Sequence, residues 1–277
     1  MTASPSSSPA PPASSSPEVR GVAPRARRWR PEYTVLAVMV GVLVLAPAVG
    51  VYPQFLMTAL CMALFASAFN LLIGYVGLLS FGHAMFLGTA AYAAAHAAKE
   101  WGTGPLLALG FAVVVSAALG LVVGWLAIRR QGIYFAMITL GLAQMVYFLC
   151  VQVTSITHGE DGIQAVPRGS LLGVIDLADP TAMYVFVLAV FLAGFALIHR
   201  VIHSPFGAVL TAIRENEPRA ISLGYATDHY KLIAFVLSAA LAGLAGGTKA
   251  LVTQLAVLGD AHWTVSGQVV LMTLIGG

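Results

Sequence analysis

Between Asn70 and Tyr92 the chain reads NLLIGYVGLLSFGHAMFLGTAAY, where Gly74, Gly77, Gly82 and Gly88 alternate with the polar residues Asn70, Ser80 and His83. A glycine-interrupted helix in apolar surroundings exposes backbone N–H and C=O groups, which can line a path for a polar solute. Gly74, Gly77, Ser80, Gly82 and His83 are therefore candidate pathway residues. The other reading of this stretch is a short cytoplasmic turn between two helices. A second run, RRQGIYFAMITLGLAQ at 129–144, offers Thr139 as a hydroxyl that assists the path. Tyr134, Thr139 and Gln144 lie five apart and do not hold one helical face. Tyr134 reads as an interfacial anchor, while Thr139 and Gln144 read as hydrogen-bonding to neighbouring helices.

Other chemistry is poorly supplied. His199 and His203 have the i, i+4 spacing of a metal-binding pair, but membrane di-metal enzymes need several such boxes and the chain has one. Glu160 and Asp161 are adjacent and on most backbones do not face each other. No GxxxxGK[ST] run occurs, so this chain does not cradle ATP phosphates in the usual way. Cys61 and Cys150 sit in apolar runs and read as small core hydrophobes. Lys249 is read as snorkelling to the outer surface, with contact to a substrate carboxylate as the alternative. No catalytic residue and no metal site is expected.

The elements that must position these residues follow from composition. Of 277 residues 59% are hydrophobic and 9% charged, with a mean hydropathy of +0.88. A water-facing surface needs roughly 25% charged residues, so the chain is solvated by lipid. A bilayer core of ~30 Å takes about 20 apolar residues per helix. On that measure, spans lie near 33–50, 54–73, 83–98, 105–128, 133–154, 182–202 and 231–253, the first and third being short, and an eighth begins near 265. The expected fold is all-α, a polytopic transmembrane bundle of about eight spans. Residues 1–32 are a Ser/Pro/Arg-rich tail, expected to be disordered; a secretory signal is the competing reading. Residues 33–277 form the transmembrane domain.

Lysine and arginine concentrate on the cytoplasmic side of membrane proteins. With the N-terminus inside, the inner loops are 74–82, 129–132 and 203–230. They and their flanks carry Arg20, Arg25, Arg27, Arg28, Arg30, Arg129, Arg130, Arg200, Arg214, Arg219 and Lys231. Only Lys99, Arg168 and Lys249 fall outside, and the outer loop 155–181 is acidic. The last residues, Leu274-Ile275-Gly276-Gly277, would end a helix in mid-membrane, which points to a truncated chain; a re-entrant segment is the alternative.

The largest inner loop, 203–230, has its own pattern. Phe206, Val209, Leu210 and Ile213 repeat at i, i+3, i+4, i+7 and give an apolar helical face. Pro218 suits the first position of a new helix and Gly224 a C-terminal cap, predicting a short helix of about six residues. A docking element for a cytoplasmic partner explains this better than a solvated loop. In the last full span, Ser238-Ala242-Gly246 and Ala239-Gly243-Gly247 form two small-residue rows that mark a helix-packing face.

Together, NLLIGYVGLLSFGHAMF (70–86), GIYFAMITLGLAQM (132–145), THGEDGI (157–163), SPFGAVLTAIRENEPRAISLGY (204–225) and YKLIAFVLSAALAGLAG (230–246) resemble, in collinear order, the LivM-type permease subunit of branched-chain amino acid ABC transporters. The resemblance implies an importer in the bacterial inner membrane that passes Leu, Ile or Val inward. It implies a second, LivH-type permease subunit, two cytoplasmic ATPases that use ATP and Mg, and an extracytoplasmic amino-acid-binding protein, with no cofactor on this chain and no nucleic acid. The helix near 216–224 would be the coupling helix, placing Arg214, Glu215, Asn216, Glu217, Arg219, Ala220 and Gly224 at the ATPase contact. Ala208 and Thr211 stand where relatives often carry basic residues, His158 stands where a glycine is common, and Lys249 is unexpected at its place. The family pattern also continues past Gly277. The rival from the residues themselves is a stand-alone secondary transporter or channel for small amino acids or amides, yet spans one to six contain no Asp or Glu for a coupling ion.

Overall fold

The computed structural model describes residues 41, 52–130, 132–171 and 175–276. The chain divides into two compact units, Met1–Val49 and Gly50–Gly277, and the elements below belong to the second. The tail 1–32, its five arginines and, apart from Gly41, the first expected span lie outside the described residues.

The helices are α1 Pro53–Asn70, continued by a π-helical turn Leu71–Val76, α2 Ala84–Lys99, α3 Pro105–Ala127, α4 Ile133–Gln152, α5 Thr154–Thr157, α6 Pro180–Ile202, α7 Pro205–Glu215, α8 Glu217–Ser222, α9 Thr227–Thr253 and α10 Trp263–Gly276. Among the described residues five are long and apolar enough to cross a membrane: Pro53–Val76, Pro105–Ala127, Ile133–Gln152, Pro180–Ile202 and Thr227–Thr253. The chain is a polytopic helical membrane protein. Among the described residues strand is confined to two-residue pieces, of which β1 Ile163–Gln164 pairs antiparallel with β4 Leu255–Ala256, and β2 Ser170–Leu171 with β3 Ile175–Asp176.

α9 lies at the centre, against α1, α2 and α3. Lipid tails are as apolar as leucine, so helices associate by close van der Waals approach rather than by hydrophobic burial. The two small-residue rows supply that approach. A Cβ on Gly246 would strike the Leu87 carbonyl of α2, one on Gly243 would strike Ser116 of α3, and one on Gly247 would press on Ala112 and Leu109. Ser116 donates to the Ala239 carbonyl at 2.6 Å and ties α3 to α9. The facing side of α2 is alanine-rich, with Ala90, Ala91, Ala94, Ala95, Ala97 and Ala98 buried. α4 is the most exposed of the long helices; Tyr134, Met137, Met145 and Phe148 project outward.

Two expected spans change. The span placed at 231–253 begins a turn earlier, at Thr227, which brings Lys231 inside the helix. The span placed at 83–98 is a 16-residue helix preceded by buried, irregular chain. At the Val252 end of the bundle, Lys99 Nζ donates to the Gln164 carbonyl at 3.0 Å and Arg168 to the Val252 carbonyl at 2.9 Å. His158 adopts φ 59°, the left-handed backbone that glycine enters most easily.

Candidate functional site

α1 changes pitch at Leu71, and Gly77 ends the π turn with φ 79°, its N–H bonding back to the Leu72 carbonyl at 2.8 Å. Residues 77–80 then form no helix or strand, and the turn 81–83 leads into α2. Leu78, Ser80, Gly82 and His83 are buried. The His83 ring lies 5.8 Å from Phe65, 5.3 Å from Phe69 and 5.3 Å from Phe86. Phe69 and Phe65 precede Val76 by seven and eleven residues on α1, so the chain has run back along that helix by roughly 10–16 Å at ~1.5 Å per residue. The stretch from Gly77 to Lys99 is thus composite: irregular backbone for its first part, then a short helix of ~24 Å. The turn expected at 74–82 is thereby confined to its Gly77 end, while Ser80, Gly82 and His83 are buried in the bundle. Irregular backbone at this depth is tolerated because protein surrounds it.

The polar members of the segment meet other helices. A Cβ on Gly82 would collide with the Thr139 carbonyl of α4, so the two backbones touch. Thr139 is buried, and its hydroxyl donates to the Ala136 carbonyl of its own helix at 2.9 Å, not to a neighbouring helix as expected. The Ala84 N–H, at the start of α2, donates to Ser266 Oγ of α10 at 2.9 Å. His83 Nε2 lies 3.1 Å from Ser238 Oγ, and that hydroxyl donates to the Ala68 carbonyl. Ser238 has one proton and spends it on Ala68, so the hydrogen between the two side chains belongs to His83 Nε2. His83 Nδ1 is then a lone pair, buried without a hydrogen-bond partner. The six residues expected to line a path fall into two groups. Ser80, Gly82, His83 and Thr139 come together in the bundle, while Gly74 and Gly77 lie at the Arg214 end. Ser238 and Ser266 are polar partners that the sequence pattern does not single out as such, although Ser238 stands in one of the small-residue rows.

At the Arg214 end, α7 and α8 form a capped pair. Ser204 Oγ accepts from the Gly207 N–H and starts α7, and Asn216 Oδ1 accepts from the Arg219 N–H at 3.1 Å and starts α8. Pro218 is the second rather than the first residue of α8, because Asn216 takes the cap. Gly224 closes the unit at φ 88°. The expected stripe faces inward: Leu210 and Ile213 are buried and Phe206 stacks on Tyr230 at 5.6 Å. Arg214 Nη1 donates to the Gly74 carbonyl, and Glu217 pairs with Lys231 of α9. A polar cavity of about 250 Å³ lies among Gly77, Gly132, Arg214, Glu217 and Lys231. Glu215, Arg219 and Gly224 are exposed and Ala220 is buried. Ile221 and Leu223, which no motif marks, are also exposed.

Lys249 does not snorkel. Its Nζ sits 2.5 Å from Asp260 Oδ1, with the two side chains 18% and 10% exposed, so the partner on this chain takes the place of a substrate carboxylate. Among the described residues no group of three or more His, Cys, Asp or Glu is placed to hold a metal ion.

The family model described as "Branched-chain amino acid transport system / permease component" matches residues 51–277. The chain is 32% identical over 199 residues to the high-affinity branched-chain amino acid transport system permease protein LivM of Salmonella typhimurium, covering 64% of this chain and 47% of that protein. It is 31% identical over 199 residues to the protein of the same name from Escherichia coli, with the same coverage. The chain therefore spans about half the length of these curated relatives. No solved structure matches it.

Proposed function

We propose a transport role from one premise: this chain belongs to the family of branched-chain amino acid transport system permease components. It is the membrane-spanning part of an ATP-driven importer that moves Leu, Ile or Val across the bacterial inner membrane, with its N-terminus in the cytoplasm. It performs no catalysis of its own. Two cytoplasmic ATPases bind ATP and Mg, a second permease subunit completes the membrane unit, and an extracytoplasmic binding protein delivers the amino acid.

The observation that carries this reading is the capped pair α7/α8. An apolar face is buried against the bundle while Glu215, Arg219, Ile221 and Leu223 are presented outward. A helical hairpin rooted in this way is stiff enough to receive a push from a partner. Its residues Arg214 to Arg219, with Ala220 and Gly224, form the coupling element. Inside the bundle, Ser80, Gly82, His83 and Thr139 flank the segment whose backbone lacks a helical ladder. That segment offers hydrogen-bonding groups to a zwitterion, and the surrounding phenylalanines suit an aliphatic side chain.

Reconstitution of the chain with ATPases, a second permease and a binding protein of the same transport system tests the reading. ATP-dependent leucine uptake that vanishes without the ATPases is expected. Uptake by this chain alone, driven by an ion gradient, would replace it with a secondary transporter.

A further inference from the structure

We propose that Arg214 and Glu217 are positioning residues that work inward, tying α7 and α8 to both ends of the irregular segment 77–83. The proposal rests on the transport reading and adds to it the route by which movement of the coupling element enters the bundle.

The first tie is at the Gly77 end. Arg214 donates to the carbonyl of Gly74, inside the π turn, and a Cβ on Gly77 would stand 3.2 Å from Arg214 Cγ. A π turn closes i→i+5 rather than i→i+4 hydrogen bonds and is common at functional sites. The guanidinium therefore grips the turn in which α1 has left its α-helical pitch, just before the irregular chain begins. The second tie reaches the His83 end through α9. Glu217 of α8 pairs with Lys231, whose side chain is 3% exposed. Lys231 and Ser238 are i, i+7 on α9 and so share a face. Ser238 holds His83.

Any displacement of the α7/α8 pair is thus delivered to Gly74 by the link from α7 and toward Ser238 by the link from α8. In a chain that is 9% charged, an ion pair in this position is a costly choice, since desolvating both charges offsets much of their attraction. What such a pair supplies is a fixed geometry between two helices, which is what a lever requires.

The test uses the full transporter in proteoliposomes, with leucine uptake and ATP hydrolysis measured on the same preparation. Glu217→Gln, Lys231→Gln and Arg214→Met are expected to lower leucine moved per ATP hydrolysed about tenfold each, within the usual range for coupling between two sites. The charge-exchanged double variant Glu217→Lys/Lys231→Glu is expected to recover most of that ratio. An unchanged ratio in the single variants, or no recovery on exchange, overturns the proposal. So does a loss confined to the amount of assembled complex, because the pair would then be structural only. Absence of leucine uptake by the unsubstituted complex would overturn the transport reading and this inference with it.

Discussion

His83 Nε2 meets Ser238 Oγ at 3.1 Å in the middle of the bundle, joining the start of α2 to the central helix α9. Removing one partner strands a buried donor, at a cost of about 1–3 kcal/mol, whereas replacing both with apolar groups of similar shape is nearly neutral. Ser238→Ala is therefore expected to lower thermal stability in detergent more than the double variant His83→Phe/Ser238→Ala. Phe65, Phe69 and Phe86 already provide an aromatic environment for the new ring. Leucine uptake by the double variant, assayed in the assembled transporter, then isolates the His83 lone pair. Uptake at the unsubstituted level would take His83 out of the path.

Gly82 is sterically required, and other glycines supply the control. Gly82→Ala places a methyl group into the Thr139 backbone carbonyl, which cannot swing away as a side chain would. Overpacking of this kind costs typically about 1–3 kcal/mol. At Gly110 and Gly141 an added methyl group would meet nothing within 4 Å, and Ala there is expected to be neutral or to stabilise its helix by about 1 kcal/mol. Melting temperatures of the three variants in detergent should separate Gly82 from the other two. Equal melting temperatures would mean that α4 does not approach the segment.

What the sequence discloses about this bundle is set by range. The α7/α8 hairpin is legible because its signals are local: a 3,4-spaced apolar stripe, Pro218 and Gly224 all lie within twenty residues. The small-residue rows of α9 are legible for the same reason. The composite build of 77–99 is not, since hydropathy registers how apolar a stretch is and not whether its backbone is helical. Leu78 and Leu79 score alike in either form. Lys249 is hidden because its partner Asp260 stands in the loop after α9, and nothing in the spacing of a lone lysine and a loop aspartate announces an ion pair. His158 stands out in the sequence only as a departure from a pattern, and its φ of 59° gives that departure a physical meaning. His158→Gly is accordingly expected to relieve backbone strain and raise the melting temperature in detergent slightly.

The Lys249–Asp260 pair joins the end of α9 to the 3₁₀ turn Leu258–Ala261. Breaking a buried pair from one side costs ~3–5 kcal/mol, and partial exposure of both side chains places this one toward the lower limit. Lys249→Met and Asp260→Asn should each destabilise the protein in detergent melts. The double neutral variant should recover most of the loss, as the stranded charge is gone. If the double variant melts as low as the sum of the singles, the pair is not coupled and Lys249 acts elsewhere.

Ile221 and Leu223 separate docking from folding. They are 56% and 69% exposed, on and just after α8, so replacing them removes little packing within this chain. Surface substitutions of this kind usually change stability by less than ~0.5 kcal/mol. An apolar pair beside Arg219 suits a partner surface, where buried apolar contacts dominate binding energy and a charge placed among them is strongly unfavourable. Ile221→Asp and Leu223→Asp are expected to leave the melting temperature of the isolated chain in place and to reduce co-purification of the ATPase subunits by about tenfold, equivalent to ~1.4 kcal/mol of binding free energy. Ala220→Asp is the contrasting variant. Ala220 is buried against the chain itself, so a carboxylate there should lower stability and docking together. Full ATPase retention by both exposed-site variants would remove α8 from the interface and move the search for the docking surface to the other loops on the same side.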